Sequence, residues 1–148
     1  MKETIEFINF LFERRLKLLK IFILPITILL IHSISSNVFN MYNLYEWFDI
    51  PMHFFGGVTI GIAYTLFIKL IERNNFLKTE NKLLFFFIVI SMIGLTTVIW
   101  EFLEFSLDQL FGTIMQPSLK DTMADLFLGI TGGSLSSLIT MIFSKQEH

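Results

Sequence analysis

Three short stretches of the chain carry residues whose types and spacing could do chemistry. His53 stands near the start of one apolar stretch, Glu101 is followed at three and seven positions by Glu104 and Asp108, and Asp121 and Asp125 are four apart. On a helix these intervals place each acidic set on one face. Carboxylate oxygens with an imidazole nitrogen suit zinc, manganese, iron or magnesium, and the same groups serve as general acids and bases. Cysteine is absent, which excludes disulfides, thiolate metal sites and a cysteine nucleophile. The candidate metal ligands are therefore His53, Glu101, Glu104 and Asp125. Asp121 is read as orienting a ligand or acting as general base, and Glu104 as its catalytic partner.

The elements that must position these residues are set by hydropathy. Apolar residues make up 53% of the 148 residues, 18 of them phenylalanine, against 16% charged, and a mean hydropathy of +0.66 is too high for a water-soluble domain of this size. A helix crossing the hydrocarbon needs about 20 apolar residues, with a range of about 17 to 25. Four stretches answer to that: residues 18–36, 52–71, 84–105 and 122–143. The first is interrupted by Pro25 and ends in the polar His32, Ser33, Ser35 and Ser36. A secretory signal peptide is its competing reading. Against that stand the acidic Glu3, Glu6 and Glu13 upstream and the lack of an alanine-based cleavage pattern. From Ile5 to Phe12 apolar side chains repeat on a helical period beside Glu6, Asn9 and Glu13, as in a helix lying on a membrane surface. The expected fold is all-α, a polytopic four-helix membrane bundle with an N-terminal amphipathic interfacial helix. The length allows one compact unit over residues 1–148.

Charge sets the orientation. Ten of the eleven Lys and Arg residues flank the same side: Lys2 to Lys20 before the first span, Lys69 to Lys82 between the second and third, and Lys145 after the fourth. Basic residues in short loops stay cytoplasmic, so both termini are expected inside. The opposite side keeps Lys120 alone, against Glu46, Asp49, Glu101, Glu104, Asp108, Asp121 and Asp125. An ionised carboxylate near hydrocarbon costs several kcal/mol unless compensated. The cluster must hold protons, bind a cation or face a water-filled cavity, and a divalent cation answers the need most directly. Gly57 and Gly61 after His53, Gly94 and Thr97 before Glu101, and Gly129, Gly132, Ser136 and Thr140 after Asp125 would let the helices approach closely.

Each residue also has a plainer reading. Ser118 and Asp121 fit a capping box opening the fourth helix, and Asp49 fits a cap of the second helix, with Pro51 in its first turn. His32 reads as a lone interhelical hydrogen bonder. Asp108, at the end of its span, is expected to be solvated, and Trp47, Trp100, Tyr42 and Tyr45 to anchor the chain at the interface. The Gly56, Gly57 and Gly61 motif is common helix packing, and Lys145 and His148 read as an ordinary cytoplasmic end. Glu101, Glu104 and Asp125 resist such readings, because no capping role puts acids inside a span.

In order and spacing these positions resemble a known family. Asp49-x-x-x-His53-Phe54-x-x-Gly57, then Trp100-Glu101-x-x-Glu104, then Gln116 with Asp121-Thr122-x-x-Asp125 and a downstream glycine resemble the YjdF-like bacterial inner membrane proteins and, more distantly, VanZ. The likeness covers roughly residues 49–133. Pro117, Ser118, Lys120 and Met123 depart from it, standing where that pattern has a Gly, an Asp, a Trp and a Gln. The resemblance implies a multi-pass protein of the bacterial plasma membrane and no particular reaction.

The function expected is a divalent-metal-dependent hydrolase acting on a lipid or lipid-linked envelope substrate, with membrane lipids as partners and no nucleic acid. A non-enzymatic cation- or proton-binding or transport protein, and an accessory envelope subunit, are the alternatives. The inner half of the helices offers little polarity beyond Ser91 and Thr140, which favours a one-sided pocket over a transport path.

Overall fold

The computed structural model describes residues 2–144, and the expected features at Lys145 and His148 lie outside them. Among the described residues every regular element is helical: α1 (Lys2–Glu13), α2 (Arg15–Asn37), α3 (Met41–Leu44), a single 3-10 turn (Glu46–Phe48), α4 (Asp49–Arg73), α5 (Lys82–Phe111) and α6 (Leu119–Phe143). Four of these, α2, α4, α5 and α6, are long and apolar enough to cross a membrane. The protein is an all-helical, multi-pass membrane bundle. Successive spans run in opposite directions, so the bundle has an acidic end, where α2 and α5 finish and α4 and α6 begin, and a basic end.

Each span exceeds its hydropathic core by a few residues, and local chemistry explains where it stops. Pro25 does not break α2, which runs through it from Arg15 to Asn37. At the start of α5 the Asn81 carboxamide accepts from the backbone of Leu83 at 2.8 Å and Leu84 at 3.4 Å, satisfying donors that the first turn leaves open. At its far end α5 continues to Phe111, beyond the 105 expected from hydropathy, and terminates where Gly112 takes φ +67° and its N–H returns to the Asp108 carbonyl. Its 30 residues extend about 45 Å, more than the ~30 Å hydrocarbon. The last turns with Asp108 therefore stand at or beyond the bilayer surface.

α4 is the hub, packing on α2, α5 and α6. Its closest neighbour is α6, and glycine makes that approach feasible. A Cβ on Gly57 would collide with the Gly129 carbonyl, one on Gly61 with the Gly133 carbonyl, and one on Gly132 with the Phe54 carbonyl. Thr97 of α5 fills the space over Gly129. Gly94 differs from expectation: nothing lies within 4 Å of a Cβ placed there, so it mediates no close contact.

Apolar clusters lie on the other faces of α4 towards the basic end. Ile68, Phe85, Val89 and Ile93 form one buried cluster, and Phe10, Ile21, Ala63 and Leu70 another. Through the latter, α1 does more than lie on a surface. Phe7 and Phe10 pack on Phe76 with ring centroids 5.2 and 4.9 Å apart, while Ile5, Ile8 and Phe12 on the rest of α1 remain exposed. The helix is thus amphipathic as expected, and it is docked on the bundle by its aromatic face.

Candidate functional site

At the acidic end three helices bring the expected residues together. His53 projects from the second turn of α4, Glu101 and Glu104 from one face of α5, and Asp125 from the second turn of α6. Glu101, Glu104 and Asp125 are 6%, 3% and 4% exposed, a burial that carboxylates accept only with partners or a cation. His53 is the shared vertex. Its Nε2 lies 3.1 Å from Asp49 Oδ1 and 3.9 Å from Asp125 Oδ1, and its Nδ1 lies 4.0 Å from Glu101 Oε1. Two ligand groups follow, Asp49 with His53 and Asp125, and His53 with Glu101 and Glu104, each with its donor atoms within 4.8 Å of one another. Lys120, the one lysine or arginine at this end among the described residues, is exposed.

Asp49 is where the structure corrects the sequence reading. It is the first residue of α4 and not its cap, which is Phe48. One helical turn before His53, its carboxylate accepts from the imidazole Nε2, as the orienting carboxylate of a metal-ligating histidine does. The i, i+4 interval was the available signal, and the cap reading obscured it.

A second layer of hydrogen bonds holds the glutamates. Trp100 Nε1 donates to Glu104 Oε1 at 2.9 Å, so Trp100 is more than an interfacial anchor. The Gln116 side-chain amide donates to both the Glu101 carbonyl and Glu101 Oε2 at 2.8 Å. Gln116 is set by Asp108, whose carboxylate accepts from Thr113 Oγ1 at 2.6 Å and from the backbone N–H groups of Met115 at 2.8 Å and Gln116 at 2.9 Å. Solvent-facing as expected, Asp108 also organises the α5–α6 connection and delivers Gln116 to the site. No spacing rule links residues 101 and 116, so the contact was not legible beforehand.

Asp121 shows half of the expected capping box. Ser118 Oγ accepts from the Asp121 N–H at 3.2 Å, but Asp121 Oδ2 is buried without a hydrogen-bond partner among the described residues. Asp121 lines an outer cavity of about 1420 Å³ together with Asp49, Glu104, Tyr42, His32 and Trp100. His32 is indeed an interhelical bonder: its Nδ1 meets the Tyr42 hydroxyl, and its ring stands edge-on to Trp100 with centroids 5.1 Å apart. Tyr42, read as an anchor, is thereby tied to the site. Burial holds its phenol above the ordinary value, and the negative charges of Asp49, Glu104 and Asp125 push the same way.

The model of a family described as predicted membrane protein (DUF2238) matches residues 4–146, a span that includes every residue of this cluster. The chain belongs to the DUF2238 family. No curated protein and no solved structure matches it. The DUF2238 assignment agrees with the membrane-protein part of the resemblance, and the match does not extend to VanZ.

The half of the DUF2238 bundle nearer the basic end is more polar than the sequence suggested. Thr65 and Ser137 are fully buried there and Ser136 nearly so. Their hydroxyls are consumed locally: Thr65 and Ser137 both donate to the Gly61 carbonyl, at 2.8 and 3.2 Å, and Ser136 to the Gly133 carbonyl at 3.0 Å. Lys69, near the end of α4, donates to the Ser144 carbonyl at 3.3 Å.

Proposed function

We propose that this YjdF-like protein of the bacterial plasma membrane holds a divalent cation at its acidic end and uses it to hydrolyse a lipid or lipid-linked substrate. One observation carries the reading: buried carboxylates from two helices converge on the two nitrogens of His53, with no basic side chain among them. A dication between His53 Nδ1, Glu101 and Glu104 offsets the carboxylate charge that burial otherwise makes costly. Asp49 on Nε2 orients the ring and raises its basicity as a ligand, while Trp100 and Gln116 fix the two glutamates. Asp125 approaches the Nε2 edge and defines a second ligand position.

The catalytic part of the proposal rests on the outer cavity. Glu104 and Asp121 both line it, and the Asp121 carboxylate is suited to take a proton from an attacking water, while a cation held beside it would polarise the scissile group. Positive charge concentrated on ten cytoplasmic Lys and Arg residues directs this cavity to the extracytoplasmic side.

Elemental analysis of freshly purified protein tests the site. We expect stoichiometric metal in the native chain, lost in Glu101→Gln and Glu104→Gln. Metal retained in those two variants but lost in Asp49→Asn and Asp125→Asn moves the ion to the Nε2 edge. Metal-free native protein that also fails to take up added Zn²⁺ or Mn²⁺ overturns the reading in favour of an accessory role.

A further inference from the structure

We infer that the groove between α2 and α5 holds one hydrocarbon chain of a lipid whose headgroup lies in the acidic cavity, so that the substrate enters sideways from the membrane. This deepens the proposed function and rests on it for the headgroup alone.

The groove encloses about 110 Å³ and is walled by Ile28 and Leu29 of α2, Gly56 and Ile60 of α4, and Thr96 and Trp100 of α5, with His53 also in its lining. All of these positions lie within membrane-spanning stretches, so the medium on its open side is lipid. Its polar lining is already satisfied. Thr59 donates to the Gly56 carbonyl, Thr96 to that of Met92 and Thr97 to that of Gly94, each at 2.9 Å. A cavity whose hydroxyls are all engaged in their own helices gives water too few partners to stay and suits an alkyl chain.

The neighbouring glycines Gly56 and Gly57 both line the groove, but only Gly57 is also part of the helix seam. Gly57 is pressed on Gly129, whereas the nearest atom to a Cβ on Gly56 is Ile28 Cγ2 at 4.0 Å. The missing side chain at Gly56 therefore serves the groove and not the helix seam. Continuity with the site is direct, because Leu29, His32 and Trp100 line both the groove and the outer cavity. An amphiphile fits that sequence of surfaces, with its chain beside Ile28 and Ile60 and its polar end beyond the His32–Trp100 ring pair. Because the described lining of the cavity carries acids and no lysine or arginine, a phosphate-bearing headgroup reaches it through the bound cation, and an amine-bearing one reaches it directly.

Trp100 is a built-in reporter, since the chain has two tryptophans and Trp47→Phe leaves Trp100 alone. Such protein is placed in nanodiscs of phosphatidylcholine with ordinary or brominated acyl chains, and the fluorescence is compared. We expect brominated chains to quench Trp100 strongly, and filling the groove with Gly56→Phe to remove most of that quenching. Ile28→Phe, which fills the groove from the α2 side, gives the same loss and serves if Gly56→Phe does not fold. Quenching unchanged in a folded filled variant overturns the inference. Mn²⁺ binding followed by electron paramagnetic resonance on the same samples separates the two proposals. Bound Mn²⁺ without groove-dependent quenching leaves the cation site and ends the lipid groove, and the converse ends the cation site and leaves the groove.

Discussion

The same three helices, α4, α5 and α6, build two unlike interiors. Towards the basic end they enclose Ile68, Phe85, Val89 and Ile93, all buried. Towards the acidic end they enclose Glu101, Glu104 and Asp125, also buried. Between the two lie the glycine contacts of Gly57 with Gly129 and Gly61 with Gly133. The apolar half needs nothing from outside to be stable. The acidic half places carboxyl groups together where solvent is scarce, which is unfavourable when they are ionised and would be offset by the cation proposed above. The difference teaches that one glycine seam serves both interiors, and that only the acidic one has a charge problem which the proposed cation would solve.

The largest effect should come from breaking the seam that both halves share. Gly57→Leu drives a side chain into the α6 backbone, and overpacking that cannot relax exceeds the usual cost of roughly 1–3 kcal/mol. We expect no folded bundle on size-exclusion chromatography in detergent, while Gly94→Leu, into open space, elutes as the native chain. Equal behaviour of the two would refute the packing contrast.

Next comes a direct comparison of the two interiors. Ile93→Ala should destabilise by about 2–5 kcal/mol, as large-to-small core changes do. Glu104→Gln, which removes a buried charge and keeps the shape, should raise the melting temperature in the presence of a chelator. With Zn²⁺ added the order inverts, because the native chain gains binding free energy that the variant cannot. Thermal melts of the three proteins with and without chelator decide it, and a fall in chelated Glu104→Gln would show that the carboxylate is structural.

Smaller effects sharpen the role of the supporting shell. Gln116→Ala leaves the donor set intact and removes the amide that holds Glu101, so metal affinity should weaken by roughly 10- to 100-fold, the usual range for orienting residues. Isothermal titration measures this, and an unchanged affinity would detach Gln116 from the site.

The smallest effect concerns pH. Because the Tyr42 phenol is held above its ordinary value, the folded state keeps a proton that the unfolded chain loses, and the associated stability is present at neutral pH and declines as pH rises past the unfolded value of about 10. Tyr42→Phe should flatten that decline in melts taken between about pH 9 and 12. Parallel slopes for the two proteins would show that Tyr42 titrates as it does in water.

Sequence alone determined the four spans, the segregation of basic from acidic ends and three of the converging acids, Glu101, Glu104 and Asp125, since hydropathy, the bias of Lys and Arg, and helical spacing are local properties of the chain. It also contained i, i+4 pairs whose meaning was misassigned: Asp49 with His53 was taken for a cap, and Trp100 with Glu104 for an anchor beside an acid. Only the tertiary structure decided that Gln116 reaches Glu101, that Asp108 positions Gln116, that Gly56 opens a groove while Gly57 closes a seam, and that Gly94 does neither. Those facts depend on which helix faces are opposed, and a stripe of small residues gives the same pattern whether it meets a backbone, a cavity or lipid.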